Sequence, residues 1–221
     1  MIMLVSPSIV SSSLARLQDE IRKCEQAGVF SLHLDIMDGH FVPNITMGPD
    51  FVKAIRNATD LRLESHLMLE RPDRYYRNFL DAGSDVILIH VESPMSTGRL
   101  IRQMEADGCR YGIVVNPETP VEKAYPFLDG ADILLIMSVH PGFSGQTFIR
   151  ETLPKIQAAR KHIDSRGLKA MIEIDGGIND RTGVEAADAG ADILVSASYI
   201  FSGSVSERVS TLKAIKPAKA R

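Results

Sequence analysis

The stretch GADILLIMSV (130–139) contains the pattern that decides the fold, a glycine followed by a short and almost wholly apolar run. The same pattern recurs at five other glycines, which are Gly28, Gly83, Gly108, Gly167 and Gly190. Glycine accommodates the positive φ that commonly ends a helix. An apolar run with no polar face is typical of a strand covered on both sides. Each repeat therefore predicts the end of a helix and the start of a buried strand.

Two further runs, LVSPSI (4–9) and LRLESHLML (61–69), bring the number of strand candidates to eight. Segments with helical periodicity lie between the strands. The clearest are LARLQDEIRKCEQA (14–27), PDRYYRNFLDA (72–82), TGRLIRQMEAD (97–107), FIRETLPKIQAARKHIDSR (148–166) and RTGVEAADA (181–189). Eight such alternations with right-handed crossovers close into a barrel. We therefore predict an α/β fold, a single compact (β/α)8 TIM barrel that forms one domain over residues 1–221. The rival fold, an open doubly wound sheet, would be favoured by a GxGxxG or GxxxxGKS/T motif after the first strand, and neither motif is there.

Composition excludes several classes of partner. The 221 residues include 25 basic and 28 acidic side chains, for a net charge of -3, so we expect no binding to nucleic acid. We also expect no membrane association, because no stretch approaches the ~18 consecutive apolar residues of a span. The N-terminal run MIMLVSPSIV lacks the basic region of a signal peptide. Cys24 and Cys109 form no CxxC pair. These features predict reduced thiols and a cytoplasmic location.

Polar side chains persist near the carboxyl ends of otherwise apolar strands, where barrels of this class carry their active sites. They are Ser6, Ser8, His33, Asp35, His66, His90, Glu92, Asn116, Asp175 and Ser198. His33 and Asp35 share one face of a strand, and together with His66 and Asp175 they would form an N2O2 set for Zn²⁺, Fe²⁺, Mn²⁺ or Co²⁺. Taken alone, a His-x-Asp pair is more often a hydrogen-bonded pair of the core than half of a metal site.

Three further features are compatible either with a functional role or with a purely structural one. The glycines after Asp175 and the small residues of SAS (196–198) could bind a phosphate through backbone N–H groups, or could simply form turns. The loop PGFSGQ (141–146) has two glycines that suit a mobile lid, or it is an ordinary surface loop. Met37, Met68 and Met137 either pack in the core or form an apolar ring that excludes water from a reaction centre.

The motifs occur in a fixed order along the chain. They are SPSI (6–9), HLDIMDGHFVPNITMGP (33–49), HLM (66–68), NPETP (116–120), MSVHPGFSGQTFI (137–149), IEIDGG (172–177) and VSAS (195–198). This ordered set closely resembles the ribulose-phosphate 3-epimerase family nearly from end to end. The resemblance implies a (β/α)8 barrel with one catalytic divalent metal ion, usually Zn²⁺, with Fe²⁺, Mn²⁺ or Co²⁺ also accepted.

The resemblance also implies roles for individual residues. The metal ligands would be His33, Asp35, His66 and Asp175, and Asp35 and Asp175 would also be the catalytic acid–base pair. Substrate contacts would come from Ser8, His66, Asp175 and the lid residues Gly142, Phe143, Ser144 and Gly145. The substrate phosphate would lie against Gly176, Gly177, Ala197 and Ser198. The chain departs from the commonest family pattern at Ala197, Ser144 and His140, positions that bear on which sugar fits.

The reaction implied is the interconversion of D-ribulose 5-phosphate and D-xylulose 5-phosphate, a step of the pentose phosphate pathway. The two aspartates would exchange the C3 proton through a metal-stabilised cis-enediolate. One alternative is 3-epimerisation of a hexulose phosphate such as D-allulose 6-phosphate, and another is a non-catalytic sugar-phosphate-binding protein. A Schiff-base aldolase fits poorly, because Lys169 starts its strand and does not end it. A metal-dependent hydrolase fits the phosphate loops and lid less well. The resemblance further implies a homo-oligomer, either a dimer or an assembly of dimers.

Overall fold

A computed structural model describes residues 2–218 of the chain. Eight strands make up its sheet: β1 (Leu4–Pro7), β2 (Ser31–Met37), β3 (Arg62–Met68), β4 (Val86–His90), β5 (Tyr111–Val115), β6 (Ile133–Met137), β7 (Met171–Asp175) and β8 (Ile193–Ser196). Every neighbouring pair is parallel, in the order β1-β8-β7-β6-β5-β4-β3-β2. The eight predicted strands are therefore all present.

The ends of this sheet meet and complete the barrel. Ser8, just after β1, forms a parallel bridge with His33 of β2. The backbone N–H of Phe30, just before β2, donates to the carbonyl of Val5 at 2.9 Å. The predicted (β/α)8 TIM barrel is thus confirmed.

Eight α-helices occur within residues 2–218: α1 (Leu17–Gln26), α2 (Pro49–Arg56), α3 (Pro72–Asp81), α4 (Thr97–Ala106), α5 (Leu153–Arg166), α6 (Thr182–Ala189), α7 (Ser198–Phe201) and α8 (Val205–Lys213). Five of them match the segments with helical periodicity, whereas α2, α7 and α8 were not singled out from the sequence. The connection from β5 to β6 corrects the expected alternation, since it is built from 3-10 turns at Val121–Lys123 and Tyr125–Phe127. Pro126 explains the difference, because a proline in a helix interior removes a hydrogen bond and clashes with the preceding turn. None of the helices within the described residues has both the length and the apolar character needed to cross a bilayer.

The barrel interior has an apolar side and a polar side. Outward-facing strand residues such as Leu34, Ile89 and Ile174 pack against the helices in the main core. The inward-facing residues of β4 to β6 and β8 are largely apolar, and Leu88, Val114, Leu135 and Ile193 form a second cluster. Inward-facing residues of β2, β3 and β7 are largely polar, including His33, Glu64 and Glu173, all fully buried. This asymmetry gathers ionisable groups on one side of the barrel, beneath its carboxyl-terminal mouth.

Candidate active site

Four of the predicted residues converge at the mouth of the barrel. His33, Asp35, His66 and Asp175 each offer one nitrogen or oxygen atom, and these four atoms all lie within 4.8 Å of one another. His33 Nε2 is 3.2 Å from His66 Nδ1, and that nitrogen is in turn 3.2 Å from Asp35 Oδ1. Asp175 approaches from β7, with Oδ2 at 3.8 Å from His33 Nε2. Two imidazole nitrogens and two carboxylates form a donor set that fits Zn²⁺ or a similar divalent ion.

The two aspartates have opposite electrostatic character. Burial opposes ionisation of Asp35, but the neighbouring His33 and His66 outweigh it and lower the pKa of Asp35 far below its usual range. Burial and the nearby Asp35 carboxylate raise the pKa of Asp175 to about 7. Two carboxyl groups held this close therefore differ in how readily each takes up a proton.

The surroundings of His33 and His66 shift their pKa values in opposite directions. Burial would lower the pKa of His33, but the carboxylates of Asp35, Glu173 and Asp175 outweigh it and raise that pKa well above its usual value. Burial lowers the pKa of His66 to about 3, so His66 is neutral near pH 7. A neutral imidazole has a free lone pair on one ring nitrogen, as a metal ligand requires.

A layer of buried polar groups supports the site from below. Glu173 Oε1 lies 3.1 Å from His33 Nδ1. Glu64 accepts hydrogen bonds from Ser6 Oγ and Arg62 Nε, both at 3.1 Å. Burial and the charge of Glu173 raise the pKa of Glu64 to about 8. Sequence reasoning missed both glutamates, although their two-residue spacing from His66 and Asp175 places them on the same inward faces of β3 and β7.

A cavity of about 210 Å³ opens beside the metal-ligand cluster, and both Asp35 and Asp175 line it. All but one of the predicted substrate contacts line it, namely Ser8, Gly142, Phe143, Ser144, Gly145, Asp175, Gly176, Gly177, Ala197 and Ser198, together with Asp35. Met37, Met68 and Met137 also line this cavity, although each is at least nine-tenths buried. They therefore contribute both to the packing and to an apolar wall beside the two aspartates.

His66 is the predicted substrate contact that does not line the cavity. Its side chain is fully buried, with Nδ1 toward Asp35 and Nε2 toward His90. Ser8 lines the cavity and also donates a hydrogen bond to Asp35 Oδ2 at 2.5 Å. His66 is therefore on the buried side of the cluster, whereas Ser8 contacts both Asp35 and the cavity.

The loop over the cavity is held by side chains that the sequence did not single out. Asn44 Nδ2 donates to the Gly142 carbonyl at 2.8 Å. Gln146 Nε2 donates to the carbonyls of His140 and Phe143 at 2.7 and 2.8 Å. Phe143 itself lines the cavity and is 57% exposed. Both amides lie within motifs quoted above, but nothing in the sequence shows where their side chains point.

Two further loops, after β7 and β8, also line the cavity. Gly176 and Gly177 have φ values of 121° and 62°, a region that favours glycine. Ala197 has a φ of −109°, which lies outside the left-handed region that favours glycine. Ser198 begins α7, and the first N–H groups of a helix have no partner within the helix.

Comparison with known proteins identifies the family of the chain. The model of the ribulose-phosphate 3-epimerase family matches residues 4–201. The chain belongs to this family. It is 43% identical to ribulose-phosphate 3-epimerase of Bacillus subtilis over 216 residues, or 97% of this chain and 99% of that protein. It is 40% identical to chloroplastic ribulose-5-phosphate-3-epimerase of Arabidopsis thaliana, over 98% of this chain and 77% of that protein. The predicted resemblance is confirmed, as is the prediction that the protein is an enzyme of the isomerase class.

More distant structures share only the fold. A 3-hexulose-6-phosphate synthase from Salmonella typhimurium superposes with a TM-score of 0.71 at 17% identity, covering 96% of this chain and 98% of that one. A thiamine phosphate pyrophosphorylase from Pyrococcus furiosus gives a TM-score of 0.65 at 18% identity, covering 97% and 95%. These similarities support the barrel and carry no argument about the reaction.

Proposed function

We propose that this epimerase interconverts D-ribulose 5-phosphate and D-xylulose 5-phosphate by moving a proton at C3 between two aspartates. The observation that carries the proposal is the pairing of Asp35 and Asp175 around two buried imidazoles at the mouth of the barrel. The relatives at 40–45% identity are named for this substrate.

Inversion at C3 requires proton removal on one face and proton return on the other. A single base would tend to return the proton to the face from which it came. Asp35 extends from β2 and Asp175 from β7, and β1 and β8 separate these strands in the sheet. The two carboxyl groups therefore reach the cavity from different sides, and a C3 carbon held between them meets one on each face. One aspartate takes the proton as base and the other gives one as acid, with the roles exchanged in the reverse direction.

The same cluster is suited to hold a divalent ion, with His33, Asp35, His66 and Asp175 as ligands and Zn²⁺ as the preferred metal. Such an ion would supply Lewis-acid stabilisation of the negative charge that develops when C3 loses its proton. Around it the chain itself excludes water with the methionine side chains and orients the substrate through the remote phosphate. Gly176, Gly177, Ala197 and Ser198 are the residues we assign to the phosphate.

The proposal is tested by comparing D-ribulose 5-phosphate with D-allulose 6-phosphate on purified protein of defined metal content. We expect faster turnover of the pentulose phosphate, and loss of turnover after exhaustive chelation that Zn²⁺, Fe²⁺, Mn²⁺ or Co²⁺ restores. A large preference for the hexulose phosphate would refute the choice of substrate. Full activity after chelation would refute the role of the metal, and no turnover of either sugar would favour a non-catalytic sugar-phosphate-binding protein.

Three further properties are predictions from the sequence: a homo-oligomeric state, a cytoplasmic location and a place in the pentose phosphate pathway. Sedimentation of the purified protein would test the first of them, since a dimer or an assembly of dimers is well separated in mass from the 24.3 kDa monomer.

A further inference from the structure

A line of hydrogen-bonding groups leads away from the metal-ligand cluster into the barrel wall. His66 Nε2 lies 2.8 Å from Nε2 of His90, the last residue of β4. His90 Nδ1 lies 3.1 Å from Glu92 Oε2. The other carboxylate oxygen of Glu92 accepts the backbone N–H of Asn116 at 2.8 Å. Both imidazoles are fully buried, so these contacts replace those that water would make.

The ring geometry of the two histidines suits a direct N–H···N hydrogen bond. The planes of the two rings differ by 19°. The two Nε2 atoms are 2.8 Å apart, whereas the ring centres are 5.0 Å apart, so the two nitrogens lie between the ring centres. The rings therefore meet edge to edge in nearly one plane, and each nitrogen points at the other. One of the two nitrogens must carry the hydrogen, and the other must accept it.

Glu92 determines which of the two Nε2 atoms, that of His66 or that of His90, carries the hydrogen. Burial opposes ionisation of this carboxyl, but the hydrogen bonds from His90 and from Asn116 outweigh it and lower the pKa of Glu92. An ionised carboxylate only accepts hydrogen bonds, so His90 Nδ1 carries a hydrogen, and in a neutral imidazole the lone pair is then on Nε2. His66 Nε2 must then be the donor, and the lone pair of His66 is on Nδ1. That nitrogen is the one that faces Asp35 and His33.

We propose that His90, held by Glu92, is a positioning residue that fixes His66 in the tautomer whose Nδ1 binds the metal ion. The inference rests on the proposed function. It adds a reason why His66 presents Nδ1 and not Nε2 to the other ligands. Outer partners of metal-binding histidines set both the tautomer and the ring orientation, and their loss commonly weakens metal binding. Glu173, 3.1 Å from His33 Nδ1, stands in the corresponding place behind the other histidine.

If His90 only packed against its neighbours, a substitution that keeps this packing would leave the tautomer of His66 unchanged. The His90 ring also packs against Phe41, with 4.7 Å between ring centres, so a phenylalanine at position 90 would keep much of this contact. Phenylalanine has no acceptor for the Nε2 hydrogen of His66. In the His90→Phe variant we expect the hydrogen to move to Nδ1 of His66, where Asp35 Oδ1 at 3.2 Å can accept it. The lone pair would then point away from the metal-ligand cluster.

The first experiment reads the tautomer in the wild-type protein without metal. Histidine labelled with ¹⁵N gives distinct shifts for a protonated and an unprotonated ring nitrogen, and a His66→Gln variant identifies the signals of His66. We expect an unprotonated Nδ1 and a protonated Nε2. A hydrogen on Nδ1 of wild-type His66 would overturn the inference even if every variant failed to fold.

The second experiment measures Zn²⁺ affinity by competition with a chelator. We expect His90→Phe to weaken binding about 10- to 100-fold. The matched control is His162→Phe on α5, where the histidine ring likewise packs on an aromatic residue, Tyr125, at 3.8 Å between centres. His162→Phe should bind Zn²⁺ like the wild type, and His90→Gln should recover part of the affinity because its amide oxygen can accept a hydrogen bond. Equal affinities for the wild type and His90→Phe would refute the positioning role.

These outcomes separate the inference from the proposed function. If wild-type protein epimerises D-ribulose 5-phosphate but His90→Phe keeps both the tautomer and the affinity, only the inference fails. If His90→Phe loses Zn²⁺ affinity as expected but the wild-type protein has no epimerase activity, only the proposed function fails.

Discussion

Replacing Gly177 with alanine tests whether the backbone of the proposed phosphate-binding loop is as tightly packed as the structure indicates. A Cβ atom at this position would lie 2.5 Å from the backbone nitrogen of Phe148, 2.9 Å from its Cα and 3.0 Å from the Gln146 carbonyl oxygen. Backbone atoms cannot rotate away as a flexible side chain can, so the loop itself must shift.

The chain offers a matched control for this substitution. Gly167, at the end of α5, has the same φ of 62°, but an added Cβ atom there would meet nothing within 4 Å. We expect Gly167→Ala to lower the free energy of unfolding by about 1–2 kcal/mol, the cost of the left-handed conformation alone. We expect Gly177→Ala to lose a further ~1–3 kcal/mol, as in other overpacked sites. The difference between the two variants isolates the steric clash.

Urea denaturation followed by circular dichroism measures both free energies, and a kinetic assay shows whether the clash affects the site. The KM for D-ribulose 5-phosphate should rise in Gly177→Ala, because the displaced loop lines the cavity where we propose that the phosphate binds, and stay unchanged in Gly167→Ala. Equal losses of stability in the two variants would show that the close approach to Phe148 is not real. A normal KM in a destabilised Gly177→Ala protein would remove this loop from the phosphate site.

Three further predictions concern the acid–base pair, the phosphate site and the thiols. Asp175→Asn should lower kcat by at least ~10²-fold and reduce the amount of bound metal measured by elemental analysis; retention of both would exclude Asp175 from the mechanism. Ser198→Asp should raise KM with little change in kcat, since a carboxylate would repel the phosphate, and an unchanged KM would locate the phosphate elsewhere. Cys24 and Cys109 are buried, and burial raises the pKa of both thiols to about 12, so neither forms a thiolate near pH 8. Ellman's reagent should therefore react with them only after unfolding, and rapid reaction of the native protein would contradict the burial.

The sequence contained enough information for the fold because six of the eight strands have the same local signal. A glycine that ends a helix and a strand with two covered faces are properties of about ten consecutive residues, as in 130–139. The segment 121–127 shows where this local signal is weaker, since the 3-10 turns that replace a helix there reflect a proline at position 126. Helix α2 was not singled out from the sequence either, although α6, which also spans eight residues, was.

The sequence by itself also determined which chemical groups face the mouth of the barrel, since the strand period of two fixes the inward residues once the strands are known. Only the tertiary structure decided how those groups meet. The 2.8 Å contact of His66 with His90 joins residues 24 positions apart, and the contact of His33 with Glu173 joins residues 140 positions apart. Such distances depend on how far the sheet turns before it closes and on the rotamer that each side chain adopts in the packed interior, and no local pattern records either quantity. The four residues of the cluster, His33, Asp35, His66 and Asp175, were therefore readable from the sequence, whereas the glutamates beneath them and the hydrogen-bond directions were not.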